Sequence, residues 1–430
     1  MIKAGANIKN DCKSAAMMLT YKPVPVMDRF ERVMAMGLFD RFNKEKQKEI
    51  KEREKAEREQ ALKQEVIDRQ QKEHASSKWP VIRPLSPIKV RDEKGNEHVP
   101  AVLTDPLTPE RKDEIGPMVF EPRIDTDALH YLDMQELIFL LTTMETYHKE
   151  AALQDFEGNR RIVYNEIINR LRSASQIWVL IDLTTGYPFL DHGYALVYSQ
   201  SDYAHSAAAV LASQYRRVNV QGFGGEDEPP VSGFFEFMYY MGAERLLLDN
   251  GYYGARIDRS QIVAPPNITG SDPMPPLNPT LNFALCEFLS EVRWPVRYEK
   301  RDVILHEREV KMWALIRSSH FIVPMHREAP AAGGADAAGH DNEARLRFPM
   351  MTGPDGKTYL PVFTDGPEFS RKFAREGWNG ASFQWKDVLS LIRERDGLIV
   401  NPMSHKAVLT KERIAQMETA AALSSGLSAK

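Results

Sequence analysis

The chain repeats part of its own sequence, and this repeat limits its fold more than any other feature. The segment ELIFLLTTMET, which begins at Glu136, aligns with TLNFALCEFLS, which begins at Thr280. Further along, GYALVYSQSDYA from Gly193 aligns with TYLPVFTDGPEF from Thr358. Self-similarity that extends over several elements is typical of a duplicated structural unit.

The length differences between the two copies fall in segments with loop composition. The second copy is longer across its Ala- and Gly-rich run APAAGGADAAGH. The first copy is longer across GFGGEDEPP, which begins at Gly222, and after this run Leu246 aligns with Leu398. Because loops tolerate such insertions at little cost in stability, we interpret the repeat as an internal duplication.

Both copies show the same order of predicted elements. Two helical patterns are followed by short apolar runs between turn residues, which are typical of buried strands, and each copy ends in a closing helix. The sequence therefore predicts an α+β fold class, with two tandem α+β domains at residues 136–263 and 280–418. The predicted strands are Ile177–Ile181, Ala195–Tyr198, Leu246–Leu248, Phe321–Val323, Leu360–Phe363 and Leu398–Val400.

The sequence outside the two copies is polar or rich in proline. Residues 44–73 are dominated by Lys, Glu, Arg and Gln with opposite charges four residues apart, which predicts a long polar helix. A coiled coil formed with a partner is the alternative. The predicted segments are a partly disordered leader with the charged helix at 1–77, a Pro-rich arm or linker at 78–135, a Pro-rich linker at 264–279 and a disordered tail at 419–430.

Composition and charge argue against several classes of protein. The chain has 56 Lys and Arg against 60 Asp and Glu, so it lacks the excess of basic residues that is expected of a protein with a nucleic-acid partner. Two cysteines, Cys12 and Cys286, are too few for a disulfide framework or a Cys-rich zinc site, which fits a reducing cytoplasm. The apolar runs are far shorter than the roughly 20 residues of a membrane span. We therefore expect a cytoplasmic protein with no stable membrane insertion.

Two motifs resemble ligand-binding signatures only in part, and one catalytic signature is absent from the sequence. The run GPDGKT from Gly353 ends like a phosphate-binding loop, but Met351 stands where that motif requires glycine, and Pro-Asp-Gly is typical of a hairpin turn. The run HERE from His306 lacks the second histidine of a zinc-binding helix. The Gly-x-Ser-x-Gly pattern of a nucleophile elbow does not occur. We therefore predict no catalytic residue, no cofactor and no metal ligand.

Two groups of residues are candidates for a binding surface. The turn from Asn401 to His405 follows a predicted buried strand, and its polar groups either contact a ligand or partner or only form the turn. The aromatic residues within 234–240 either fill the contact between the copies or mark a partner site. The candidate partner or ligand surface consists of Asn401, Ser404, His405, Thr364, Asp365, Tyr239 and Tyr240.

Three motifs follow one another in the second copy: LPVFTD from Leu360, a helix with Glu368 and Phe369, and GLIVNPMS from Gly397 followed by VLTKERI. In this order they resemble the SseB N-terminal domain family, and the resemblance covers the C-terminal end of the chain. In the first copy, DNGY from Asp249 replaces the NPMS of this pattern. We therefore expect two tandem SseB-like domains, of which the first is a diverged relative.

The resemblance implies a cytoplasmic bacterial protein that is associated by name with serine sensitivity, and it carries over no catalytic residue. The leading functional hypothesis is a non-enzymatic interaction or regulatory protein with an unidentified protein partner. One alternative is a sensor of an amino-acid-like small molecule, which binds in a cleft between the two repeats. The other is an unrecognised enzyme. The sequence does not determine the oligomeric state.

Overall fold

The structure is a computed structural model that describes residues 29–85, 90–91, 97–98, 103–266, 275–327, 346–353, 355–373 and 377–427. It contains two compact units, residues 1–66 and residues 67–430. Helix α1, Arg29–Glu73, includes the whole of the predicted polar helix and begins before it. On its described surface it carries exposed ion pairs four residues apart, such as Arg53 with Glu57 at 3.0 Å.

The segment after α1 contains short elements where the sequence predicted an extended arm or a linker. Thr108 caps α2 (Pro109–Ile115) by accepting a hydrogen bond from the N–H of Arg111, and a proline occupies the first turn, where its missing N–H costs nothing. Ile115, Phe120 and Leu129 from this segment are buried in the core of the residues that follow. Its elements are β1 (Val90–Arg91), β2 (Glu97–His98), α2 (Pro109–Ile115), a 3₁₀ turn (Gly116–Phe120) and α3 (Thr126–Leu129).

The first half of the larger unit, residues 103–266, is built on one sheet. Strand β3 (Ile177–Asp182) pairs antiparallel with β6 (Tyr194–Tyr198) and β7 (Val218–Phe223). Strand β6 pairs parallel with β8 (Arg245–Leu248), and β8 pairs antiparallel with β9 (Ala255–Asp258). Helix α4 begins with a capping box between Asp133 and Glu136. The elements are α4 (Met134–Glu150), α5 (Phe156–Arg172), β3 (Ile177–Asp182), β4 (Tyr187–Pro188), β5 (Leu190–Asp191), β6 (Tyr194–Tyr198), α6 (Ser201–Ser213), β7 (Val218–Phe223), α7 (Val231–Met241), β8 (Arg245–Leu248) and β9 (Ala255–Asp258).

The second half, residues 275–427, follows a similar order of elements and has matching strand pairings. Strand β10 (His320–Arg327) pairs antiparallel with β14 (Asn379–Gln384). Strand β13 (Thr358–Val362) pairs parallel with β15 (Gly397–Val400), and β15 pairs antiparallel with β16 (Ala407–Thr410). The elements are α8 (Pro279–Val292), α9 (Arg301–Ser318), β10 (His320–Arg327), β11 (Leu346–Arg347), β12 (Met351–Thr352), β13 (Thr358–Val362), α10 (Gly366–Phe373), β14 (Asn379–Gln384), α11 (Trp385–Leu391), β15 (Gly397–Val400), β16 (Ala407–Thr410) and α12 (Lys411–Leu427).

The predicted α+β fold class is confirmed, and each of the six predicted strands is present. Two details differ at the ends of the halves. The closing helix predicted for the first copy is only a 3₁₀ turn, Arg259–Gln261, because the chain soon reaches Pro265 and Pro266, which cannot continue a helix. In the second half, α12 continues to Leu427, through most of the segment predicted as a disordered tail.

Helix α8 contributes to the cores of both halves. Its residue Cys286 belongs to the core of the first half, and Phe283 packs against the same core. Leu281, Leu285 and Leu289 belong to the core of the second half. The residues that connect the two halves are therefore found around this helix.

Candidate functional site

The polar turn of the second half begins at Asn401, directly after β15. Asn401 has a positive φ of 46°, a left-handed conformation that asparagine tolerates better than most residues. Its Oδ1 accepts a hydrogen bond from the N–H of Thr364 at 3.0 Å. Its backbone oxygen accepts from the N–H groups of Ser404 at 3.1 Å and Lys406 at 3.0 Å. The Asn401 side chain therefore ties the end of β15 to the residues after β13.

A buried chain of hydrogen bonds continues from this turn. Asn401 Nδ2 donates to Thr364 Oγ1 at 2.8 Å, and Thr364 Oγ1 donates to Asp365 Oδ2 at 2.9 Å. From α8, Asn282 Nδ2 donates to the same Asp365 oxygen at 2.8 Å. Asp365 Oδ1 accepts from the N–H of Glu368 at 2.9 Å. These residues are at most 1% exposed, so the bonds satisfy polar groups in the interior.

His405 lies at the end of this chain, against the thiol of Cys286. Asn401 Nδ2 is 3.1 Å from His405 Nδ1, and His405 Nε2 is 3.2 Å from Cys286 Sγ. Burial and the charge of Arg293 lower the pKa of His405 to about 3. Burial, with nearby carboxylates, raises the pKa of Cys286 well above its ordinary value. Both groups are therefore neutral at physiological pH.

Glu368 connects the two halves through its carboxylate. Tyr187, from β4 in the first half, donates its hydroxyl to Glu368 Oε1 at 2.9 Å, and Ser404 Oγ donates to Oε2 at 2.6 Å. Arg371 Nε lies 3.4 Å from Oε1. Burial raises the pKa of Glu368, although Arg371 and the two hydroxyls act in the opposite direction. The Tyr187 ring also stacks on His405, with ring centres 4.3 Å apart.

Arg293, directly after α8, holds backbone from both halves. Its Nη1 donates to the carbonyl oxygen of Thr184 in the first half and to that of His405 at 2.8 Å in the second. Its Nη2 donates to the carbonyl oxygen of Lys406 at 3.0 Å. We refer to the residues that make these contacts between the halves as the junction network: Tyr187, Arg293, Glu368, Ser404 and His405.

The first half has its own version of the polar turn, with a carboxylate in place of the amide. Asp249 aligns with Asn401 and also has a positive φ, of 53°. Its carboxylate accepts from Ser199 N and Oγ, both at 2.7 Å, and from Gln135 Nε2 at 2.6 Å. Asp249 is fully buried, and burial raises its pKa to about 6. The aligned residues therefore make the same turn but differ in side-chain chemistry.

A cavity of about 430 Å³ lies between the two halves, and Cys286 forms part of its lining. Its wall from the first half includes Asp182 and the turn after α6, where Gln214 and Arg216 are found. Its wall from the second half includes Glu291 and Trp294. Gln214 is 2% exposed, and its Nε2 has no hydrogen-bond partner among the described residues.

Charged groups are concentrated around Glu291 at this cavity. Its carboxylate lies 3.4 Å from Arg216 Nη2, 3.2 Å from Arg308 Nη1 and 3.6 Å from Arg301 Nε. It also accepts from the Tyr298 hydroxyl at 3.0 Å. Burial lowers the pKa of Arg216 even though Glu291 opposes the shift. One carboxylate is therefore shared by three guanidinium groups.

The structure brings together five of the seven residues proposed for a binding surface, but it places them in the interior. Thr364, Asp365, Asn401, Ser404 and His405 are at most 3% exposed and bond to one another or to the junction network. The other two residues line a separate cavity of about 260 Å³. They are Tyr239, which donates to the carbonyl oxygen of Val263 at 2.9 Å, and Tyr240, whose carbonyl oxygen accepts from Asn282.

Sequence reasoning did not identify Gln214, Arg216 or Glu291. They come from the turn after α6 and the end of α8, and no local motif marks either position. Within the described ranges, no group of His, Cys, Asp and Glu side chains is arranged to hold a metal ion. The helices of the described ranges likewise include none with the length and apolar character of a membrane span.

Residues 305–416 match the family model of the SseB protein N-terminal domain. No curated protein and no solved structure matches the chain. The matched segment contains Thr364, Asp365, Glu368 and the turn from Asn401 to His405, whereas Tyr187, Asn282, Cys286 and Arg293 lie outside it.

Proposed function

We propose, on the premise that the second half carries an SseB N-terminal domain, that this chain is a non-enzymatic regulatory protein. In this proposal the chain acts in the cytoplasm through a protein partner, and the two halves are copies that arose by duplication. The common strand pairings of the halves and the aligned turns at Asp249 and Asn401 support the duplication.

The observation that carries the proposal is the protonation state of the Cys286 and His405 pair. A thiol 3.2 Å from an imidazole has the geometry of a nucleophile and its base. A reactive pair, however, needs a thiolate, which is favoured by a lowered cysteine pKa and a positive neighbour. Here the pKa of Cys286 is raised and that of His405 is lowered to about 3, so both groups favour the neutral form. The pair therefore acts as packing at the junction between the halves.

Alkylation of the intact chain tests this assignment. Because the buried thiol is neutral, we expect iodoacetamide at pH 8 to leave Cys286 unmodified in the folded protein and to modify it completely in denaturant. Peptide mass spectrometry measures the modified fraction, and the second cysteine, Cys12, serves as the reference for complete labelling in denaturant. Labelling of Cys286 in the folded chain as fast as a free thiol would contradict the proposal and favour the enzymatic alternative.

A second candidate function is small-molecule sensing in the cavity between the halves. The specific observation in its favour is the buried Gln214 Nε2 without a partner among the described residues, because buried polar groups are normally hydrogen-bonded. A ligand that binds only the folded chain raises its melting temperature by mass action. Thermal-shift measurements with amino acids, nucleotides and other small metabolites test this candidate. If no compound at saturating concentration raises the melting temperature, the sensing function is wrong.

A further inference from the structure

We propose that the cavity between the two halves binds a small molecule through a carboxylate group, which Gln214 and Arg216 hold. This inference rests on the sensing function proposed above and names the chemical class of its ligand.

The cavity wall contains a hydrogen-bond donor without an acceptor, the side-chain amide of Gln214. Gln214 lines the cavity and is almost completely buried, and its Nε2 has no partner among the described residues. Its backbone carbonyl oxygen, in contrast, accepts from Trp294 Nε1 at 2.8 Å, so the residue is held firmly in the wall. An N–H group in this position needs an acceptor. A ligand oxygen would supply it.

The charges beside the donor favour an anion. Arg216, Arg301 and Arg308 surround Glu291, and Asp182 is the other buried carboxylate of this wall. Asp182 Oδ1 is already engaged by the N–H of Thr184 at 2.8 Å and by its hydroxyl at 2.6 Å. Four guanidinium groups and four carboxylates line the cavity. Arg301 and Lys311, which lie outside the lining, pair with Glu291 and Glu287, so six positive groups are set against four carboxylates. A ligand with negative charge would balance the remaining positive charge.

The two other carboxylates of the cavity wall have partners of their own. Asp191 Oδ2 accepts from Asn250 Nδ2 at 3.0 Å. Glu287 Oε2 lies 3.2 Å from Lys311 Nζ. These pairings direct both carboxylates to groups other than Arg216, which keeps its free donors for a ligand.

Arg216 is oriented for planar recognition. Its guanidinium carbon lies 3.6 Å from the centre of the Trp294 ring, and its Nη1 donates to the Ser290 carbonyl oxygen at 2.9 Å. Contacts with Ser290 and Glu291 use two of the five N–H groups of the guanidinium, which leaves donors for a ligand. A guanidinium that is held in place over an aromatic ring can bind a carboxylate through two parallel hydrogen bonds. A cationic ligand would gain no hydrogen bond from these donors.

The size of the cavity restricts the ligand to a small molecule. Its volume of about 430 Å³ lies toward the lower end of the range typical of small-molecule sites. Phe189 and Trp294 provide apolar wall beside the polar groups. The expected ligand therefore has a carboxylate at one end and a compact body that contacts these rings.

Calorimetry on the full chain with matched probes tests the inference. The probes are acetate, lactate, succinate and phenylacetate, each compared with its amide and with the corresponding amine. We expect at least one carboxylate to bind at least about tenfold more tightly than its amide and amine. This factor corresponds to about 1.4 kcal/mol in binding free energy. We expect Gln214→Leu to weaken that binding at least about tenfold, without lowering the melting temperature of the ligand-free chain.

Gln70→Leu is the matched control. Gln70 is also 2% exposed, and its Oε1 has no hydrogen-bond partner among the described residues, but Gln70 does not line the cavity. This variant should bind the probes as the wild type does. A second test variant, Gln214→Glu, keeps the size of the side chain and should abolish carboxylate binding by repulsion.

The outcomes separate this inference from the function on which it rests. Binding of an amide or amine in preference to its carboxylate, with loss in Gln214→Leu, would overturn the carboxylate assignment and retain small-molecule sensing. Carboxylate binding that is unchanged in both Gln214 variants would overturn the assignment to this cavity. Binding of no probe in any of the three series would overturn the inference, and the broader thermal-shift screen then decides the sensing function separately.

Discussion

Replacing Tyr187 by phenylalanine removes one hydroxyl from the junction network and leaves the ring in place. The hydroxyl donates to Glu368 Oε1 at 2.9 Å, and both residues are 1% exposed, so water does not replace the lost donor. Hydrogen bonds to charged groups contribute about 1.5–3 kcal/mol to stability. We therefore expect Tyr187→Phe to lower the free energy of unfolding by about 1.5–3 kcal/mol.

Tyr198→Phe is the matched control for this change. Tyr198 is fully buried as well, but its hydroxyl has no hydrogen-bond partner among the described residues. Removing an unsatisfied hydroxyl relieves a desolvation cost, so this variant should be neutral or more stable by up to about 1 kcal/mol. The same chemical change is thus expected to lower stability at one position and to spare or raise it at the other.

Urea unfolding measures both variants. The transition midpoint and its slope, followed by circular dichroism and tryptophan fluorescence, give the change in the free energy of unfolding. Loss of the Tyr187 hydroxyl should also raise the pKa of Glu368 further, since this bond lowers it in the wild type. Equal stability of the two variants, within about 0.5 kcal/mol, would refute the assignment of Tyr187 as a stabilising contact between the halves.

Two further predictions concern single residues of the turns. The pKa of Asp249 is about 6 in the folded chain instead of its ordinary 3.8, so its contribution to stability is present below pH 3.8 and is lost as the pH rises through 6. This loss is roughly 3 kcal/mol. Asp249→Asn, which places the amide of Asn401 in the first half, should remove this step from the pH profile of stability between pH 3.8 and pH 6. Urea unfolding across this range measures the profile, and an unchanged profile would contradict the prediction. Gly186 has a φ of +72°, and a Cβ there would lie 3.2 Å from Ser404 Cα, whereas Gly356 has a φ of +75° with nothing within 4 Å. Both alanine variants should lose about 1–2 kcal/mol of stability, because alanine is strained at a positive φ. Gly186→Ala should lower the melting temperature further than Gly356→Ala, because its Cβ crowds Ser404 in the junction network. Equal melting temperatures for the two variants would exclude that crowding.

The sequence identified the strands because their signal is local. Runs such as Ile177–Ile181 and Leu398–Val400 combine apolar residues with flanking turn residues, and both are strands in the structure. The helices at Pro109–Ile115 and Thr126–Leu129 were missed because the prolines nearby were interpreted as signs of extended chain. In the structure a proline begins the first of these helices, so the same residue type has the opposite effect at a different position.

The candidate site could be predicted only in part. The turn from Asn401 to His405 was identified from its polar residues, but its partners Asn282 and Tyr187 are distant in sequence. Asn282 and Asn401 are 119 residues apart, and Tyr187 and Glu368 are 181 residues apart. Because no local pattern records such pairings, sequence reasoning placed the turn residues on a surface, whereas their partners bury them. The cavity at Gln214 depends on the same long-range packing.

The dual packing of α8 determines how this protein can be divided. Since Cys286 belongs to one core, and Leu285 and Leu289 belong to the other, a cut on either side of the helix exposes an apolar face that the missing half had covered. Neither half is then expected to fold as an isolated fragment. The larger unit should instead melt in one cooperative transition, in which loss of either half removes support from the other. A fragment that begins at residue 275 would be expected to aggregate on expression, even though it contains the whole of the family-matched segment.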